Sequence, residues 1–343
     1  MDFQTNQELA DYLHDHPGLT ELFVSSVEGL TSLPDTLPSS LIELSIYDCP
    51  ALTSLPRQLP GSLRELTIVR CTGLRGLPRL PSSLTELHIF GCTGLTGFAD
   101  PLPSSLTELL IAGFPGLVSL PALPGHLTEL YISCCDDLTG LPALPRSLNC
   151  LEVKNCAGLA SLPELVNTCL ADLSIVDCPQ LTNLPALPAS VNRIIVRDCV
   201  ALIGLPEQLP GSLSELRIHN CQRMTVLPER IPGSLKELHI SENGSLTGLP
   251  EQLPGSLEEI YVSRCGALTS LPSLPSGLKR MNLSGCTGLT KLPVLPDSLG
   301  WLDLRGCTGL AQLPGLLTSI ETLIGQGCTN LEMKVANTKI FVI

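Results

Sequence analysis

Residues 127–147 read LTELYISCCDDLTGLPALPRS, and the same wording stands on both sides of them. Leu84 opens LTELHIFGCTGLTGFADPLPSS, and Leu106 opens LTELLIAGFPGLVSLPALPGH. Followed outward, the opening apolar residue falls at 19, 41, 63, 84, 106, 127, 148, 170, 191, 213, 235, 257, 278, 299 and 320, so fifteen units of 21 or 22 residues follow one another. A period in the range of 20–50 residues marks a solenoid-type array. The extra residue sits where LPxLP becomes LPxxLP, as between Leu55-Pro56 and Leu59-Pro60, except in the unit opened by Leu148, where it follows Leu165-Val166. A segment that accepts a one-residue change cannot be a paired strand, because such a slip would turn every side chain to the other face.

Each unit divides into two halves with different physics. In Leu130-Tyr131-Ile132 apolar residues alternate with outward ones, as a short strand requires. Fifteen such strands, stacked at about 4.8 Å each, predict a parallel sheet roughly 70 Å long. The proline half cannot be α-helical, since closely spaced prolines remove donors and push the preceding residues to extended geometry. It is expected as polyproline-II or short 3₁₀ structure, and so thin a backing predicts shallow curvature.

The consensus L-x-x-L-x-I-x-x-C-x-x-L-x-x-L-P-x-L-P-x-S is a leucine-rich repeat pattern. Leu141-Pro142, Leu144-Pro145 and Leu148 through Leu151 resemble the LPX-type leucine-rich repeats of bacterial secreted effectors, and the resemblance covers residues 19–331. It implies a leucine-rich repeat solenoid with its parallel sheet on the concave face. Some members of that group carry a ubiquitin-ligase domain, whereas others are bare scaffolds for host proteins. The ladder position here is Cys rather than Asn, and the units are longer, as in the repeats of plant intracellular immune receptors. No nucleotide-binding motif accompanies them.

Composition narrows the function classes. The net charge of −13 argues against nucleic acid, which needs a basic face. No apolar run approaches the length of a membrane span, and residues 1–16 lack the pattern of a signal peptide. Twelve of the fifteen cysteines occupy the ninth position of a unit, and Val27, Phe114 and Asn243 fill it elsewhere. Stacked equivalents point in parallel, so they read as buried free thiols rather than disulfides, in a reducing compartment. Cys134, Cys150 and Cys169 lie outside that ladder. No nucleophile, metal or cofactor is expected.

Three segments are expected: an N-terminal helical cap over 1–18, fifteen repeats over 19–331, and a capping tail over 332–343. Thr5 or Asn6 is the expected N-cap, with Leu9, Tyr12 and Leu13 on one helix face.

Outward strand positions 3, 5 and 7 carry what is not structural. Position 3 is acidic in ten units, from Glu21 through Glu129 and again at Asp172, Glu215, Glu237 and Glu259. Positions 5 and 7 place Tyr47, Val69, His88, Phe90, Leu110 and Tyr131 outward on neighbouring strands, which makes them the candidate partner-binding row. Lys154, Arg197, Arg217, His219, His239 and Tyr261 form a second, polar patch, whose simplest role is to neutralise Glu152, Asp177 and Asp198. His219 and His239 stand as diagonal neighbours, but a third metal ligand is lacking. The reading is a monomeric, non-enzymatic interaction scaffold that binds a host protein, delivered by a non-classical route into host cytoplasm. The alternative is the substrate-recognition portion of a leucine-rich repeat ubiquitin ligase continuing past Ile343.

Overall fold

A computed structural model describes residues 5–98, 101–314, 319–330 and 341–342. It divides into two compact units, Met1–Leu170 and Ala171–Ile343. The first holds α1 (Asn6–Asp15) and strands β1 (Glu21–Ser25), β2 (Glu43–Tyr47), β3 (Glu65–Val69), β4 (Glu86–Phe90), β5 (Glu108–Ala112), β6 (Glu129–Ser133) and β7 (Cys150–Lys154). The second holds β8 (Asp172–Val176), β9 (Arg193–Arg197), β10 (Glu215–His219), β11 (Glu237–Ser241), β12 (Glu259–Ser263), β13 (Arg280–Asn282), β14 (Trp301–Asp303), β15 (Thr322–Ile324) and β16 (Phe341–Val342). Within each unit, strands pair in parallel with their chain neighbours, in repeat register up to β15, for example Glu86↔Glu108 and Glu215↔Glu237, whereas β16 joins β15 at a shorter offset, Leu323↔Phe341. This is the leucine-rich repeat solenoid expected from the sequence. Among the described residues no helix is long and apolar enough to cross a membrane.

The consensus letters explain the coil. Leu127, Leu130, Ile132, Cys135 and Leu138, all at most 1% exposed, point into one core. Two i→i+3 turns bend the chain around them. One closes Cys-x-x-Leu, with the Leu138 amide donating to Cys135 O at 3.2 Å, and the other closes Pro-x-Ser-Leu, with Leu148 donating to Pro145 O at 3.1 Å. The proline half between them contains no helix among the described residues, so the 3₁₀ expectation reduces to this single turn. The consensus serine does more than fill the turn. Its hydroxyl donates to the opening carbonyl of the preceding coil: Ser62 to Leu41, Ser83 to Leu63 and Ser234 to Leu213, each at 2.6 Å.

Position 8 carries a feature that the consensus hides. The residue there adopts positive φ in every repeat, at Ser26, Asp48, Arg70, Cys134, Asn155, Asp177, Asp198, Asn220, Glu242 and Arg264, and at Gly91, Gly113, Gly285, Gly306 and Gly327. This left-handed step ends the strand and aims the position-8 amide at the next coil, as from Arg70 N to Phe90 O at 2.7 Å. Side chains longer than Gly tolerate that geometry at a cost of about 1 kcal/mol or more.

The ladder cysteines lie just beyond. Eleven are buried, but Cys328 is half-exposed, which corrects the expectation for the last coil. Cys49, Cys135 and Cys156 donate their S–H to the carbonyl two residues earlier at 3.3–3.4 Å. Burial pushes the Cys221, Cys265 and Cys307 thiols up to about 12, which leaves them protonated and inert. Asn243 shows what the position can do with a full amide. Its Oδ1 accepts from Cys221 N at 2.8 Å, while its Nδ2 donates to Ser241 O and Ile218 O at 2.9 and 3.3 Å.

At the start, Thr5 caps α1 by accepting from Glu8 N at 3.2 Å. Asn6 instead ties the helix to the first coil, with Nδ2 donating to Thr31 Oγ1 at 3.1 Å and Oδ1 accepting from Thr31 N at 3.3 Å. Leu9 and Leu13 are buried, whereas Tyr12 stays half-exposed and stacks on His16. The expected C-terminal cap over 332–343 lies outside the described residues apart from Phe341–Val342, which pair with Leu323–Ile324.

Candidate functional site

The outward face of β1–β7 resolves into three columns. Position 3 supplies Glu21, Glu43, Glu65, Glu86, Glu108 and Glu129 in register. Position 5 runs Phe23, Ser45, Thr67, His88, Leu110, Tyr131 and Glu152. Position 7 runs Ser25, Tyr47, Val69, Phe90, Ala112, Ser133 and Lys154. The expected single row is therefore two adjacent columns: Tyr47, Val69 and Phe90 share one, while His88, Leu110 and Tyr131 share the other. All six are half-buried rather than water-facing, because neighbours on strands about 4.8 Å apart shade one another. Phe23, 50% exposed, is the most open ring of the face and meets Tyr47 at a centroid distance of 5.0 Å.

Position 5 also governs the carboxylates of position 3. Ser45 donates to Glu43 Oε1 at 3.3 Å, Thr67 to Glu65 Oε1 at 3.4 Å and Tyr131 to Glu129 Oε2 at 2.6 Å. Glu129 thereby holds the Tyr131 phenol protonated, and burial adds to the effect. The pattern breaks at β1, where Phe23 has no donor for Glu21, and at β5, where Leu110 has none for Glu108. His88 reaches across from β4 instead, with Nε2 3.1 Å from Glu108 Oε1. Glu86, His88 and Glu108 thus offer three ligand atoms within 4.8 Å of one another. Sequence reading missed this trio because its members come from successive repeats. The available signal was a His at position 5 followed, one repeat on, by an apolar residue there.

The second unit carries most of the polar patch. Arg217 Nε donates to Glu215 Oε1, and its Nη2 reaches Glu237 Oε2 at 3.3 Å. Arg193 Nε also approaches Glu215, at 3.3 Å. His239 lies 3.2 Å from Glu237 and stacks on Tyr261 at 4.5 Å. Burial, then the Arg217 charge, holds His239 below the ordinary imidazole value. His219 turns elsewhere, with Nδ1 2.7 Å from Ser241 Oγ, so the two histidines do not share a site. Neutralisation is therefore real, but it is directed at Glu215 and Glu237. Asp198 instead accepts from Asn220 at 2.8 Å. In the first unit Lys154 pairs with Glu152 at 2.7 Å, as expected. Trp301, outside the expected patch, lies 6.3 Å from Tyr261 and under the Arg280 guanidinium at 5.0 Å.

No family model and no curated protein matches the chain. Solved structures do. YopM from Yersinia enterocolitica WA-314 aligns at 29% identity and a TM-score of 0.65, over 97% of this chain and 73% of that one. YopM from Yersinia pestis, described as a leucine-rich effector protein, aligns at 28% identity and 0.57, over 92% of this chain and 91% of that one.

Proposed function

We propose that this leucine-rich repeat protein, similar to YopM in fold, is a non-enzymatic scaffold that binds a protein partner on the strand face of its first unit. The observation that carries the reading is the side-by-side placement of three columns on β1–β6. Two of them carry the half-buried Tyr47, Val69, Phe90, Leu110 and Tyr131 among smaller polar side chains, and an unbroken run of glutamates borders them. Rings set in a shielded, partly desolvated surface have the character of binding hot spots. The glutamate column repels itself by less than about 1 kcal/mol per neighbouring pair in water. It favours a partner that presents basic side chains beside an apolar stretch, through steering more than through affinity.

The partner is a host protein and the chain acts as an effector in host cytoplasm. The likeness to an effector described as leucine-rich supports this reading, as do buried thiols that suit a reducing compartment. The scaffold works as a monomer.

The test compares capture of host-lysate proteins by the wild-type chain and by Tyr47→Ala with Phe90→Ala, followed by affinity measurement on the captured partner. Losing two anchors costs about 2 kcal/mol or more, roughly thirtyfold in affinity. Glu43→Gln with Glu65→Gln slows association at low salt and leaves dissociation unchanged. If the aromatic pair can be removed without weakening capture while the glutamine pair abolishes it, the partner reads charge and the apolar columns are incidental.

A further inference from the structure

We propose that Glu86, His88 and Glu108 form a site for a divalent transition-metal ion on the strand face, with one imidazole nitrogen and two carboxylate oxygens as ligands. Glu86 and Glu108 are register partners on β4 and β5, and His88 stands two residues after Glu86 on the same face. Their ligand atoms lie within 4.8 Å of one another. Two ligands held about 2.1 Å from one ion stand no more than about 4.2 Å apart, so a side-chain shift of less than about 1 Å completes the shell.

The imidazole is already oriented for the task. His88 Nδ1 lies 3.4 Å from Thr67 Oγ1, and that hydroxyl lies 3.4 Å from Glu65 Oε1. With the ring proton on Nδ1 directed at the buried Thr67 hydroxyl, Nε2 keeps its lone pair toward Glu108, the tautomer and second-shell support that a metal ligand requires. Without a metal, the Nε2–H tautomer donates to Glu108 Oε1 across the 3.1 Å contact; with the proton on Nδ1, the same two atoms become a pair of acceptors that an incoming cation can bridge.

The second unit supplies independent support. Its repeat-equivalent carboxylate pair, Glu215 and Glu237, is also register-matched, and a cation does stand across it: the guanidinium of Arg217, from the same position 5 that His88 occupies. One carboxylate pair carries its own permanent charge. The other carries an imidazole, which can accept a metal where a guanidinium cannot. One nitrogen with two carboxylate oxygens suits Zn²⁺ or Mn²⁺ better than Ca²⁺ or Mg²⁺, which favour all-oxygen shells. Three protein ligands leave a position open to water or to a donor from another molecule.

The experiment titrates the full chain with Zn²⁺ by calorimetry and repeats the titration with Co²⁺ followed by absorption. One equivalent binds, Co²⁺ gives ligand-field bands without a thiolate charge-transfer band, and His88→Ala and Glu108→Gln each weaken Zn²⁺ at least tenfold. Cys134→Ser with Cys169→Ser, which removes the two exposed thiols, leaves binding unchanged. Circular dichroism checks that each variant is folded. Absence of binding at 0.1 mM zinc (about −5.5 kcal/mol as a dissociation constant), binding indifferent to His88→Ala, or binding lost with the two cysteines would each overturn the assignment. None of these readouts involves a partner protein, so this inference and the partner-binding reading stand or fall separately.

Discussion

The strand faces around β4–β5 and β10–β11 descend from one repeat template, yet they handle the same problem differently. Both set two glutamates on adjacent strands. Around β10–β11, Arg217 bridges the pair and His239 stacks on Tyr261, which closes the surface into an internally satisfied network. Around β4–β5, Leu110 withholds a donor and His88 must serve its neighbour's carboxylate. Position 3 is nearly constant, so the chemistry of the face is written at position 5. A single residue there decides whether a coil is self-neutralised or open to an outside charge.

The largest effect tests whether the two regions differ only on their faces. Leu66→Ala and Leu238→Ala remove fully buried side chains at the same position in the two units. Each is expected to cost about 2–5 kcal/mol, and the two costs should agree, because the cores are built alike. Urea denaturation measures this, and a large inequality would mean that the units are not equivalent beneath their surfaces.

Alkaline pH sharpens the view of the shared ladder. Cys221, Cys265 and Cys307 are raised by burial from 9.0 to about 12. Because the folded value lies above the unfolded one, their contribution is complete below pH 9 and is lost as the pH rises toward 12. Melting temperature should therefore be flat up to about pH 9 and then fall steeply. An unchanged melting temperature at pH 11 would mean that these thiols are not shielded from ionisation.

A smaller contrast separates the two carboxylate pairs. Arg217→Ala is expected to destabilise by about 1 kcal/mol, discounted for the partial exposure of the pair. His88→Ala in metal-free buffer should cost less than that. Thermal melts of the two variants, at low and high salt, give the comparison directly, and salt should shrink the Arg217 effect more.

The smallest effect concerns backbone geometry common to both regions. Cys134→Gly relieves a left-handed side chain and is expected to gain a few tenths to about 1 kcal/mol. Gly91→Ala and Gly285→Ala, at the same position, should lose a comparable amount, because their φ values are +61° and +73°. Equal stability of Cys134→Gly and wild type would show that the surrounding bonds offset the strain.

Register, core and ladder were legible in the sequence because each rests on a residue type that recurs at a fixed position. Leu130, Ile132 and Cys135 announce themselves by repetition. The left-handed step was not legible, since Ser26, Arg70, Glu242 and Gly113 share no side-chain property, only a backbone angle. The role of the consensus serine was hidden for the related reason that its acceptor is a carbonyl some twenty residues earlier. On the face, the alternation of a strand was applied within each repeat but not across neighbours, so Tyr47 and Tyr131 were read as one row when they occupy separate columns. The trio of Glu86, His88 and Glu108 needed that lateral view.

The serine-to-carbonyl bond has a consequence for how such a chain changes over generations. Ser62, Ser83 and Ser234 each grip the coil before them by the same atom at the same distance. A crossover between any two of these repeats in the gene therefore joins two coils through a contact that both already know how to make. Copies can be gained or lost while the reading frame and the hydrogen-bond pattern persist, and the outward columns are shuffled like cards. Selection can then act on the order of position-5 residues without first having to repair the fold.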